Sequence, residues 1–204
     1  MSTLRALLSA FALLTLFGAL ITATPAAAQF SESYNFLKAV KDKDAAKAKT
    51  ALDVPGSTVV NAREGDSGDT ALHIVIRRSD VPWLGFLLQG GADPNLRDRA
   101  GNTPLLLATI NNFTEGVRIL LLVQARVDLK NNSGETPLIK AVQARNVTVA
   151  KMLHDAGADP DIADNAAGYS ARDYAMQDNR GGQLAKLLAD APRRKAKPVQ
   201  GPQL

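Results

Sequence analysis

Gly101-Asn102-Thr103-Pro104-Leu105-Leu106-Leu107-Ala108 and Gly134-Glu135-Thr136-Pro137-Leu138-Ile139-Lys140-Ala141 stand 33 residues apart and agree at the glycine, threonine, proline, first leucine and alanine. Each of these types has a physical reason to be there. A threonine hydroxyl can cap the first turn of a helix. The proline after it sits at the first helical position, where its missing N–H costs nothing. Leu105 and Leu138 then point into a core. Ala108 and Ala141 are small where two helices approach closely. A helix start written twice at one fixed period points to a repeat array.

The period continues in both directions. Gly68 and Gly168 complete a series with separations of 33, 33 and 34. They are followed by Asp69-Thr70-Ala71-Leu72-His73 and Tyr169-Ser170-Ala171-Arg172-Asp173. A second signature recurs between the first ones: Gly91-Ala92-Asp93-Pro94-Asn95, Gln124-Ala125-Arg126-Val127-Asp128 and Gly157-Ala158-Asp159-Pro160-Asp161. Gly91 and Gly157 are placed to end a second helix in a left-handed conformation. Asp93, Asn95, Asp128, Asp159 and Asp161 favour the turn that comes next. Apolar pairs lie ahead of each second signature: Leu87-Leu88, Leu120-Leu121 and Met152-Leu153.

These motifs closely resemble the ankyrin repeat, and the resemblance covers about residues 34–190. It implies an all-α solenoid of about five helix-turn-helix units with hairpin loops projecting to one side. The units fall near 34–63, 68–100, 101–133, 134–167 and 168–190. The first lacks the Gly-x-Thr-Pro opening and resembles an N-terminal cap, with Lys38, Lys41, Asp42, Lys43, Asp44, Lys47 and Lys49 solvating its outward face. The last carries Arg172 and Asp173 where Leu and His would sit, and resembles a C-terminal cap. Terminal repeats need polar outer faces to stop end-to-end stacking. Three departures are expected to matter. Gln124 replaces the loop glycine and strains the third loop. Gly85 and Gly116 fall inside second helices and weaken each by up to about 1 kcal/mol relative to Ala. An extra residue among Asn165–Ala167 enlarges the last loop.

Composition narrows the chemistry. The chain has 204 residues, 46% hydrophobic and 22% charged, with only 5% aromatic. It has no cysteine and two histidines, which excludes disulfides, thiolate metal sites, a Cys nucleophile and a His-rich metal site. The formal charge of +4 is carried at the ends. Setting aside Arg5, Arg193, Arg194, Lys195 and Lys197 takes five from the 24 basic residues and leaves 19 against 20 acidic ones. The basicity therefore belongs to a tail, which argues against nucleic acid as a partner. Residues 1–28 read as a secretory signal: Arg5, an apolar run from Ala6 to Ala23, then Pro25 and Ala26-Ala27-Ala28. The expected cut lies before Gln29 and places the chain in the periplasm or outside the cell. The alternative is a retained anchor, since the run approaches the length of a spanning helix. Residues 29–190 then form the repeat domain. The Pro-flanked basic tail 191–204 is expected to be disordered, either a solubilising end or an adhesive for anionic lipid or an acidic partner.

No motif for catalysis stands out. There is no Walker sequence, no G-x-S-x-G and no H-E-x-x-H. His73 occupies the family's histidine position, where the ring bonds loop backbone and ties neighbouring repeats. His154 replaces a leucine of the apolar pair and packs on a second helix. Trp83 fills a gap between repeats, the alternative being an exposed binding anchor. The expectation is a monomeric, non-enzymatic chain without cofactor, metal or small-molecule substrate.

What the resemblance implies instead is binding through loop tips and the inner face of the first helices. Carried to this sequence, that surface includes Arg77, Arg78, Arg97, Arg99, Asn102, Asn111, Lys130, Asn132, Glu135 and Gln143, with Ile110, Tyr169, Gln177 and Asp178 beside them. Arg77, Arg78, Arg97, Arg99 and Lys130 form an expected basic strip facing an acidic protein partner, unless they are simply solvated charges. The function read from the sequence is an extracytoplasmic protein–protein interaction module, an accessory or scaffold factor for another exported protein. The alternative is an exported effector or inhibitor acting on a foreign protein.

Overall fold

The computed structural model describes residues 26–177 and 182–189, with side chains from Glu32 onward. The greater part of the expected signal, Asp178 and the tail 191–204 lie outside the described residues. Chain contacts divide the protein after Ser31, and the repeat array belongs to the unit that begins at Glu32. Among the described residues no helix is long and apolar enough to cross a membrane.

Ten α-helices are present among the described residues, together with a single 3-10 turn at Val59–Asn61. They are α1 (Ala26–Asp42), α2 (Ala45–Leu52), α3 (Ala71–Arg77), α4 (Val81–Gln89), α5 (Pro104–Ile110), α6 (Thr114–Leu122), α7 (Pro137–Gln143), α8 (Val147–Asp155), α9 (Ala171–Gln177) and α10 (Gly182–Ala189). Within each of the last four units the two helices pack as a pair. The first helices α3, α5, α7 and α9 then stack in one row, and the second helices α4, α6, α8 and α10 in another. This is the all-α repeat solenoid that the period implied. α1 starts ahead of the first unit's expected bound near residue 34, because Ala26-Ala27-Ala28 are strong helix formers.

Local chemistry sets the helix ends. The Thr103 and Thr136 hydroxyls accept the N–H of Leu106 and Ile139 at 3.2 Å each, and Pro104 and Pro137 open their helices. Asp44, Asp80 and Asn146 do the same for second helices. Leu72, Leu105 and Leu138 form a fully buried column, with Val75, Ala108, Ala141 and Ala175 beside it where the helices meet. Gln124 takes φ +58°, the left-handed position that Gly91 and Gly157 fill in the neighbouring units.

The hairpins close through backbone pairs: Glu64 N–H to Asp69 O, Asp98 to Asn102, Asn131 to Glu135 and Asp164 to Tyr169. The last hairpin is one residue longer than the middle two, as expected, and so is the first. Isolated antiparallel bridges, Arg63–Thr70 and Ala163–Ser170, mark the bases of these two longer hairpins.

The C-terminal cap corrects one reading. Arg172 does not face outward: it is 4% exposed and takes the fourth place in the leucine column. Its guanidinium pairs with Asp161 at 2.7 and 3.2 Å and donates to the Leu188 carbonyl at the end of α10. Asp173 takes over half of the task of His73. Its carboxylate accepts the Ser170 N–H at 2.9 Å and hydroxyl at 2.6 Å.

The two helical glycines separate. A Cβ on Gly85 would meet nothing within 4 Å, so Gly85→Ala should raise stability by about 0.5–1 kcal/mol. A Cβ on Gly116 would run into the Phe113 ring, which is buried against the same helix. Gly116→Ala should therefore lower stability despite alanine's better helix propensity. Urea unfolding midpoints of the two variants check this difference in sign.

Candidate functional site

The hairpins stack edge to edge through backbone bonds between successive tips. Arg99 N–H donates to Ser67 O, Asn132 to Ala100 O and Asn165 to Ser133 O, all at 2.9–3.0 Å. Asn132 adds a side-chain bond to Arg99 O at 2.9 Å. At each base an acid or amide braces the loop. Asp98 accepts the Asn102 N–H at 2.8 Å, and Asn131 accepts the N–H groups of Ser133 and Glu135. Asp164 accepts three successive N–H groups, from Ala166, Ala167 and Gly168. Its carboxyl is held below the ordinary range, first by the Tyr174 hydroxyl and then by those N–H groups. These braces were not visible as site residues in the sequence, although Asp98, Asn131 and Asp164 recur at the period.

The expected basic strip divides into two kinds of side chain. Arg77 is ion-paired with Asp69 at 2.9 Å and reaches Asp98 at 3.6 Å, so its charge is neutralised. Arg78 turns inward, donating to Val40 O at the end of α1 at 2.8 Å and to Asp80 at 3.2 Å. Its guanidinium lies 5.6 Å above the Trp83 ring, which also meets Phe86 edge-on. Trp83 is thus a buried packing residue. Arg97, Arg99 and Lys130 differ, because they bond backbone carbonyls and no carboxylate. Arg97 donates to Gly101 O at 2.9 Å and to Lys130 O, Arg99 to Gly65 O at 2.9 Å, and Lys130 to Ala163 O at 2.8 Å. Arg63, which sequence reasoning passed over, donates to Arg97 O in the same pattern.

The remaining expected residues lie on the hairpins (Asn102, Asn132 and Glu135) and at the ends of first helices (Asn111 and Gln143). Asn102 and Glu135 are half-buried, while Asn111, Asn132 and Gln143 are exposed. Asn131 links Asn102 to Glu135, and Lys140 links Glu135 to Gln143 at 3.1 and 3.0 Å. Ile110, Tyr169 and Met176 are exposed, at 39%, 40% and 54%. The Tyr169 ring stands edge-on to Tyr174 at 5.6 Å.

His73 is fully buried and has the role expected of it. Its Nδ1 accepts the Thr70 N–H at 3.2 Å and hydroxyl at 2.8 Å, and its Nε2–H donates to Asn102 O in the next unit at 2.9 Å. Burial pushes its pKa below the ordinary value, against the opposing effects of the Asn102 carbonyl and of Asp69 and Asp98. A folded-state pKa below the unfolded one means the unfolded chain takes up the proton first as pH falls. The stability from the neutral ring is full above about pH 6.5, the unfolded value, and is lost as pH drops from there toward the folded pKa. Urea midpoints should fall between about pH 7.5 and about pH 5.5 in the native chain, and fall less in His73→Asn.

Among the described residues no group of three or more His, Cys, Asp or Glu is arranged to hold a metal. The family model for ankyrin repeats, in three copies, matches residues 26–131 and 72–164. The chain belongs to the ankyrin-repeat family, a protein-interaction fold that is not generally enzymatic. It is similar to a putative ankyrin repeat protein of Rickettsia felis, with 35% identity over 104 residues, 46% of this chain and 45% of that protein. It is also similar to the ANK repeat-containing protein nipk-1 of Caenorhabditis elegans, 31% over 124 residues, 53% of this chain and 20% of the relative. A third likeness is to the nuclear factor NF-kappa-B p105 subunit of Gallus gallus, 29% over 128 residues, 61% and 13%. The chain spans less than half the length of these curated relatives.

Proposed function

We propose that this protein is an extracytoplasmic protein–protein interaction module, an accessory or scaffold factor that holds another exported protein. The observation that carries the reading is the inner face. Its charges are internally matched, Arg77 by Asp69 and Lys140 by Glu135, yet it leaves Ile110 exposed next to the amide of Asn111, with Tyr169 exposed on the last hairpin. Exposed apolar and aromatic groups rimmed by polar ones on a rigid support are the anatomy of a binding surface. The hydrogen-bonded hairpins and capped helices supply that support, so little order need be gained on binding.

The export half of the proposal rests on residues 1–28 of the sequence. Fractionation of the producing cell with mass measurement of the recovered chain tests it. An extracytoplasmic chain beginning at Gln29 supports it, and a cytoplasmic full-length chain removes it. Affinity capture from extracytoplasmic extract tests the binding half. The expected result is one enriched exported protein that is lost when Ile110 and Tyr169 are both changed to Asp in a folded variant. Capture indifferent to those changes would refute the inner-face assignment.

A further inference from the structure

Arg63, Arg97 and Lys130 stand in one column along the hairpin bases. Each donates to the carbonyl of the residue at the next position of the column: Arg63 to Arg97 O, Arg97 to Lys130 O, Lys130 to Ala163 O. That shared bond fixes the three side chains in one orientation on one edge of the array. Arg99 lies two residues beyond Arg97 and leans back to Gly65 O. Arg63, Arg97 and Arg99 are exposed, and Lys130 is half-buried.

None of these four cations has a carboxylate within salt-bridge reach among the described residues. The nearby acids are engaged elsewhere. Glu64 takes Lys41 and Ser67, Asp69 and Asp98 take Arg77, and Asp164 takes Tyr174 and three backbone N–H groups. A backbone carbonyl accepts a hydrogen bond but does not cancel a full charge. The column is therefore a row of ordered, uncompensated positive charges. The guanidinium of Arg97 keeps unused donors, since its two recorded bonds use Nε and Nη2.

The spacing selects the shape of the counterpart. Helices of neighbouring units stack at about 8–10 Å, so the cations recur at about that interval. In a β-strand residues on one side recur at about 6.6 Å or twice that, which does not match. In a polyproline-II segment every third residue returns to the same side, after about 9 Å. We propose that the Arg63–Arg97–Lys130 column binds an acidic segment of a partner protein in polyproline-II conformation, with a carboxylate at every third residue. The inference rests on the reading of this chain as a protein-interaction module and names the chemistry of one contact. Preset side chains lose little entropy on pairing, which is what limits most exposed ion pairs.

A labelled peptide of four Asp-Pro-Pro repeats tests this by fluorescence anisotropy with the full chain. The comparison peptide has the same composition with its aspartates contiguous. The spaced peptide should bind at least about tenfold more tightly, and its affinity should fall with added salt. Arg97→Gln should weaken it roughly two- to fivefold, the worth of one exposed pair, while Arg126→Gln, an exposed arginine outside the column, should not. Arg97→Lys should largely restore it. Arg63→Gln, at the end of the column, serves if Arg97→Gln does not fold. Several results would overturn the proposal. They are equal affinity for the two peptides, no binding of the spaced one, equal losses at Arg97 and Arg126, or tighter binding of a single-stranded oligonucleotide of equal charge. Capture of a natural partner undiminished by Arg97→Gln would sink the column and leave the interaction module standing.

Discussion

Arg172→Ala is expected to cost the protein about 3 kcal/mol, the low end of what breaking a buried ion pair costs. The low end applies because Asp161 keeps a third of its side chain exposed and can regain water once its partner is gone. Two further losses add to it. The carbonyls of Leu188 and Ala189 at the end of α10 lose the donor that faces them, and the truncated side chain leaves a void at the end of the leucine column. Arg172→Leu should cost less. Leucine refills the column as Leu105 and Leu138 do, which removes the void, while Asp161 and the carbonyls at the end of α10 still lose their donor. The loss should also be local. Amide exchange should accelerate in α9 and α10 well before it does in α5 and α7, because an end unit of a repeat array has one neighbour to hold it. Urea unfolding with residue-level hydrogen exchange checks both claims. A cost equal in the two variants would show that the guanidinium contributes its bonds and nothing by its packing.

Arg172 also shows where sequence reading runs out. Thr103, Pro104, Leu105 and Ala108 were legible because their work is done within one turn of helix by local chemistry. The same holds for the left-handed Gln124, whose neighbours at the period are glycines. Arg172 was not legible. Its burial depends on Asp161, eleven residues back, and on Leu188, sixteen ahead, which nothing at the leucine position itself announces. The basic strip failed to resolve for a similar reason. Nothing within the motif distinguishes Arg77 from Arg97. The difference lies in Asp69 and Asp98, which neutralise one, and in the Lys130 carbonyl, which receives the other. Arg63 was missed because its hairpin carries an extra residue. It stands five positions ahead of Gly68, where Arg97 and Lys130 stand four ahead of their glycines.

The two kinds of arginine also mark out what the fold keeps for itself. Arg78 and Arg172 both turn inward to the carboxyl ends of terminal helices, α1 and α10, where orphan carbonyls collect. A cation there answers both the missing hydrogen bonds and the negative end of the helix dipole. Arg63, Arg97 and Lys130 bond carbonyls as well, but from the exposed edge of the hairpins, where their remaining donors meet solvent or a partner. Basic side chains thus answer helix ends in the terminal units and charge the edge of the hairpins.

Gly134→Ala is the second large effect, expected at about 3 kcal/mol, against about 1 kcal/mol for Gly168→Ala. Both glycines sit at positive φ, +77° and +70°, so both alanines suffer the left-handed penalty of about 1–2 kcal/mol. They differ in what surrounds them. A Cβ at Gly134 would stand 2.6 Å from the backbone nitrogen of Asn165, which donates to Ser133 O in the stacked hairpin edge. That hairpin must move or the bond must break. A Cβ at Gly168 would meet nothing within 4 Å, because no further described hairpin stacks on it. Gly101 behaves like Gly134, with the Asn132 nitrogen 2.8 Å away. The contrast separates the conformational requirement, common to all these glycines, from the close approach, which belongs to those that carry a neighbour. Equal losses at Gly134 and Gly168 would mean that the tip-to-tip bonds contribute little. A clearly larger loss at Gly134 and Gly101 than at Gly168 would establish the stacked hairpin edge as a seam that holds the array together, the same edge on which the Arg63–Arg97–Lys130 column is mounted.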